Sequence, residues 1–116
     1  MRIRADDAVK QALREQLLIL KGMGVKKVDV SYSGSGDEGY INGVVFTPEL
    51  GEGTRFNTSE FEGILYDYLD PAHVGDWVNN EGGFGEISID LETGKTKGTV
   101  SFNEVTYTTT KLTDQL

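Results

Sequence analysis

In 116 residues, 37% of them apolar, there is room for one hydrophobic core, so the chain reads as a single domain over residues 1–116. Having no cysteine, it can form no disulfide, thiolate metal site or cysteine nucleophile, and no apolar run approaches the roughly 20 residues that cross a bilayer. The net charge of −8 is uneven: residues 1–27 carry seven bases against three acids, and residues 28–92 carry one base, Arg55, against fourteen acids.

Val9, Ala12, Leu13, Leu17 and Leu20 recur at helical spacing. Asp6 or Asp7 is placed to cap the start and Gly22 or Gly24 to end it, while Lys10, Arg14, Glu15 and Lys21 make the polar face. The period then changes to two. Val28, Val30 and Tyr32 point one way and Asp29, Ser31 and Ser33 the other, as in a half-buried strand. The stretch Ser33-Gly34-Ser35-Gly36-Asp37-Glu38-Gly39 reads as a tight glycine-rich loop, and residues 40–46 as the returning strand, bulged at Asn42-Gly43.

A second helix is marked by a capping box at Ser59-Glu60-Phe61-Glu62 and by the stripe Phe61, Ile64, Leu65, Tyr68 and Leu69, with Pro71 ending it. An irregular stretch, 71–85, follows and holds His73, Trp77, Asn79 and Asn80. Ile87, Ile89 and Leu91 then alternate with Glu86, Ser88 and Asp90, and Thr93-Gly94 turns the chain back. On the return, Val100 and Phe102 share a phase that Val105 and Tyr107 break, which a bulge near Asn103-Glu104 reconciles. The order α-β-β-α-β-β predicts an α+β domain, a four-stranded antiparallel sheet with two helices packed on one face. Chain direction places both glycine-rich segments, 34–39 and 75–85, at one edge of it.

The candidate chemistry gathers in those two segments. A phosphate loop needs a helix behind it and usually a cation, whereas here a strand follows, and Asp37 and Glu38 repel the ligand. A calcium loop is excluded by Tyr40 in the position that requires a bidentate carboxylate. His73 is the single histidine and has no nucleophile or second histidine in a recognisable pattern around it. Asp37, Glu38, Asp76 and Glu81 either stand as solvated acids or converge to chelate a hard cation. Trp77 is either a plug for one end of the core or an exposed anchor for a partner.

The segments Tyr32-Ser33-Gly34-Ser35-Gly36-Asp37-Glu38-Gly39 and Trp77-Val78-Asn79-Asn80-Glu81-Gly82-Gly83-Phe84-Gly85-Glu86 carry a resemblance. They are similar to an uncharacterised family of small domains from bacteria and mobile elements. That family pairs a Tyr-x-Gly-x-Gly-Asp-Ser-Gly loop with a Gly-Trp-Glu-Asn-Asn-Asp-Gly-x-Tyr-Gly-Glu motif. The chain departs from the pattern at Glu38, at Val78 and at Asp76, which separates Gly75 from Trp77. The resemblance spans most of residues 8–110 and implies a shared fold and shared loops, with a phage or mobile-element origin; it implies no activity.

Together these features predict a cytoplasmic, non-enzymatic interaction domain. Its acidic surface docks a basic, nucleic-acid-handling protein, for example as an inhibitor, and does not contact nucleic acid or membrane. Asp37, Glu38, Asp76, Trp77, Asn79, Asn80 and Glu81 are the expected contact residues, no cofactor or resident metal is expected, and a homodimer is a possible state. The alternative is a small-ligand or cation-binding domain, hydrolytic in one form, built on segments 34–39 and 75–85. The same acidity also serves solubility alone.

Overall fold

The computed structural model describes residues 3, 5–35, 38–50, 56–70, 82–102 and 108–116. The first helix, α1 (Asp7–Gly22), buries Leu13, Leu17 and Leu20 on the predicted stripe. Asp6 holds the N-cap position with extended backbone, though its side chain makes no capping hydrogen bond. At the other end the Met23 N–H donates back to the Ile19 and Leu20 carbonyls, and Gly24 turns the chain with φ +91°. One residue of the expected polar face is misassigned: Lys10 is buried, for a reason given by β5 below.

Strands β1 (Lys27–Ser35) and β2 (Glu38–Thr47) follow, then helix α2 (Thr58–Tyr68) and strands β3 (Gly83–Asp90), β4 (Lys95–Phe102) and β5 (Thr108–Gln115). The sheet is antiparallel throughout, in the order β2-β1-β3-β4-β5. It therefore has five strands, where the sequence pattern predicts four. The phase change after Phe102 marks the end of one strand and not a bulge within it, since pairing resumes at Thr108 in a separate strand. Residues 103–107, where the bulge was expected, lie outside the described residues.

Two further expectations are corrected. Most of the glycine-rich stretch 33–39 is paired strand: Ser33 faces Tyr40, Gly34 faces Gly39, and Ser35 faces Glu38. Glycine and serine disfavour strands only weakly, and here cross-strand pairing on both sides of β1 outweighs that preference. The cap of α2 is Asn57, whose side-chain oxygen accepts from the Glu60 N–H at 3.0 Å, two residues earlier than a box at Ser59 implies. The bulge at Asn42-Gly43 is present: Ser31 faces Gly43 and Tyr32 faces Ile41, leaving Asn42 as the extra residue.

Both helices cover one face of the sheet. Val28, Val30 and Tyr32 of β1, Ile87 and Ile89 of β3, Val100 of β4 and Leu112 of β5 point into a single core with Leu13, Leu20, Phe61, Leu65, Tyr68 and Leu69 of the helical layer. Each such side chain contributes on the order of 1.5–3 kcal/mol by leaving water. Phe46, Phe56 and Phe61 close the β2 side, their ring centroids 5.6 to 6.0 Å apart.

One polar cluster interrupts the core. The Lys10 ammonium of α1 and the Tyr68 hydroxyl of α2 both donate to the Asp114 carboxylate of β5, at 3.0 and 2.7 Å. That partner explains the burial of Lys10, because an ammonium enters an apolar layer only when paired. Beside it, Thr96 Oγ1 is buried without a hydrogen-bond partner, directly across the ladder from Asp114.

Candidate interaction site

The second face of the sheet, which no described helix covers, carries the alternate residues of every strand. Across its upper end, the registers set Tyr40 of β2, Ser33 of β1, Phe84 of β3 and Ser101 of β4 side by side. Tyr40 and Phe84 keep 55% and 40% of their surface exposed. Together with Ser33, Gly34, Ser35, Glu38 and Gly83 they line one shallow depression. Small residues of β1 form its floor and two aromatic side chains its walls.

The walls are held. The Tyr40 hydroxyl donates to Glu38 Oε2 at 2.8 Å, and the charged acceptor raises the Tyr40 phenol above its ordinary pKa. On the floor, Asn42 Nδ2 donates to Ser33 Oγ at 2.8 Å, so the bulged residue reaches across to β1 and fixes the serine. At the β2 edge the Ile41 N–H donates to the Tyr66 hydroxyl of α2 at 2.9 Å, which caps one outward backbone group.

The glycines explain how the two sequence segments come together. Tyr32 lies across β3 to donate to the Thr99 carbonyl of β4 at 3.0 Å, passing over Gly85. A Cβ on Gly85 would stand 2.6 Å from the Tyr32 hydroxyl. Burial pushes the Tyr32 phenol far up, so it remains a neutral donor. Gly82, with φ +72°, packs so closely on Gly34 that a Cβ there would stand 2.7 Å from the Ser35 Cα. Gly34 in turn pairs with Gly83. The end of segment 75–85 thus adjoins segment 34–39 at one edge, as chain direction predicts, and close backbone approach accounts for these glycines.

Of the seven expected contact residues, Glu38 lies within the described residues, on the rim of the depression. Asp37, Asp76, Trp77, Asn79, Asn80 and Glu81 lie outside them, as does His73. Among the described residues, no group of three His, Asp or Glu side chains is placed to hold a metal ion. Sequence reasoning missed Tyr40 and Phe84. Phe84 had a readable signal, because it shares the phase of Glu86, Ser88 and Asp90 and is the one apolar side chain there. Tyr40 had none, since the bulge at Asn42 inverts the phase of everything before it.

The lower end of the same face is different in charge. Lys26, Lys27, Lys95 and Lys97 surround Ser88, Asp90 and Glu92 in a second depression. Lys27 is 3.6 Å from Asp29, both side chains being solvent-exposed, a contact of little energetic weight. The exposed surface of α2 is acidic, with Glu60, Glu62 and Asp67 and no base in its last turn. No described helix is long and apolar enough to span a membrane.

No protein-family profile matches the chain, and neither a curated protein nor a solved structure is measurably similar to it.

Proposed function

We propose that the protein is a non-enzymatic interaction domain that docks a basic protein partner through the upper end of the sheet face that no described helix covers. The observation that carries this is the pair of exposed aromatic side chains, Tyr40 and Phe84, set around Ser33 on a face that is otherwise mostly polar, with Val45 exposed farther along β2. Aromatic anchors of this kind, ringed by polar groups, are where binding energy concentrates in protein interfaces. Glu38 beside them, the acidic exterior of α2 and the net charge of −8 favour a basic counterpart and speed its approach. A nucleic-acid-handling protein, basic because of what it holds, meets that description.

The test is affinity capture from the source cell with wild-type protein and with the double replacement Tyr40→Ala/Phe84→Ala, washed at about 0.05 and 0.5 M salt. We expect a basic protein that is retained at low salt, released at high salt and lost with the double replacement. Capture of the same proteins by both forms, independent of salt, would refute the assignment.

A further inference from the structure

The two edges of the sheet are finished differently. At the β5 edge the Ile3 N–H donates to the Thr113 carbonyl at 2.9 Å, so the start of the chain occupies backbone there. At the β2 edge the Tyr66 hydroxyl accepts the Ile41 N–H, Asn42 forms the bulge, and Pro48, which has no N–H to offer, follows the strand. Between these devices stand Gly43, Val44, Val45, Phe46 and Thr47, without a charge or a proline among them. Such a segment on an open edge is a template for another strand.

The ladder fixes which of its backbone groups are free. The Thr47 carbonyl accepts the Lys26 N–H at 2.8 Å, so Thr47 turns its polar groups toward β1. That orientation alternates along an antiparallel strand. Val45 therefore also faces β1, and Val44 and Phe46 each point an N–H and a C=O away from the sheet. The extra residue at Asn42 resets the alternation, which is why the Ile41 N–H points outward to Tyr66. Among the described residues, neither Val44 nor Phe46 has a hydrogen-bond partner on that outer side. The Val45 side chain is 55% exposed, and an open depression lined by Val44, Val45, Phe46, Glu49 and Leu50 adjoins the strand.

This pattern is its own complement. When two copies are set antiparallel about a two-fold axis at Val45, Val44 of each faces Phe46 of the other, and outward groups meet outward groups. The two pairs then exchange four backbone hydrogen bonds. Val45 meets its own copy at the non-hydrogen-bonded position, where side chains stand closest, and Gly43 faces Thr47. Tyr66 and Pro48 stop the pairing on either side. A two-fold contact occupies both β2 edges at once, and the β5 edge is engaged by Ile3, so assembly closes at two copies.

We infer that the chain forms a weak symmetric dimer through residues 43–47 of β2, with Val45 on the two-fold axis. A strip five residues long, about 17 Å, and one strand wide covers far less than the roughly 800 Å² per partner of a stable interface. A dissociation constant on the order of 0.1–1 mM is expected. The dimer is independent of the basic-partner docking and responds oppositely to salt. Each copy carries −8, so screening their repulsion tightens the dimer, whereas it releases a basic protein.

The experiment is sedimentation equilibrium of the full chain from about 0.02 to 1 mM at about 0.05 and 0.5 M salt, with backbone-amide NMR over the same range. We expect a monomer–dimer equilibrium that tightens with salt, and concentration-dependent shifts centred on the amides of Val44 and Phe46. Val45→Lys and Val45→Glu, at an exposed position, each set like charges face to face and should weaken the dimer at least about tenfold. An equimolar mixture of the two should restore it. Val45→Thr, β-branched but polar, is the milder variant and should cost about two- to fivefold. A wild-type chain that stays monomeric at 1 mM overturns the inference. So does a dimer that Val45→Lys and Val45→Thr leave unchanged, or one whose shifts fall on β5.

Discussion

Asp114 is a buried carboxylate on the core-facing side of β5. It accepts from Lys10 and Tyr68 and also from the Gln115 N–H at 2.8 Å, so one carboxylate ties both helices to β5. Burial alone would raise its pKa; the hydrogen bonds from Tyr68, Lys10 and Gln115 and the Lys10 charge outweigh that and lower it below its usual 3.8. A lowered native value means that the charged form contributes stability above pH 3.8, and that this contribution is lost as pH falls through the native value. Urea unfolding across a pH series should therefore show an acid loss of stability that Asp114→Asn largely removes. Lys10→Met, which strands the buried carboxylate, should cost about 3–5 kcal/mol at neutral pH, and the double replacement Lys10→Met/Asp114→Leu considerably less. Thr96 gives the opposite expectation. Its hydroxyl is buried with no partner, so Thr96→Val, which keeps the shape, should raise stability by on the order of 1 kcal/mol in the same assay.

Among the elements, α1, β1, α2 and β3 were legible because each writes its period plainly. Val28, Val30 and Tyr32 are buried where the alternation put them, as are Ile87 and Ile89. β5 was not legible. Its inward positions include Leu112 and Asp114, and a carboxylate in a core position erases the apolar alternation that announces a strand. Long-range pairing with Lys10, 104 residues away, is what makes that carboxylate tolerable, and no local pattern reveals it. Paired with β4 from Thr108 to Gln115, β5 belongs to the core, so Leu112→Ala should lower stability by about 2–5 kcal/mol. The same replacement in a frayed tail would leave the unfolding midpoint unchanged. The candidate site was half legible for a related reason. Glu38 was singled out through its charge, whereas Tyr40 and Phe84 became a pair only when register placed them on either side of Ser33.

At the scale of the whole molecule, the face that no described helix covers is electrically uneven, with Glu38 at its upper end and Lys26, Lys27, Lys95 and Lys97 around Asp90 and Glu92 at its lower end. A net charge states only the sum; on the proposed reading, this arrangement would favour approach of a basic surface at the Glu38 end over the lysine end. The two ends of the described chain meet at the β5 edge of the sheet, where the Ile3 N–H donates to the Thr113 carbonyl at 2.9 Å. Together with the bond from Lys10 to Asp114, this contact ties the first part of the chain to its last strand. A chain that has docked α1 but not yet β5 holds an ammonium in an apolar layer with nothing to neutralise it. Partial structures are thereby penalised until the last strand arrives, and closing so long a loop is slow. The polar cluster is thus expected to act as a checkpoint, with α1 settling on the sheet at low cost once the distant strand is in place.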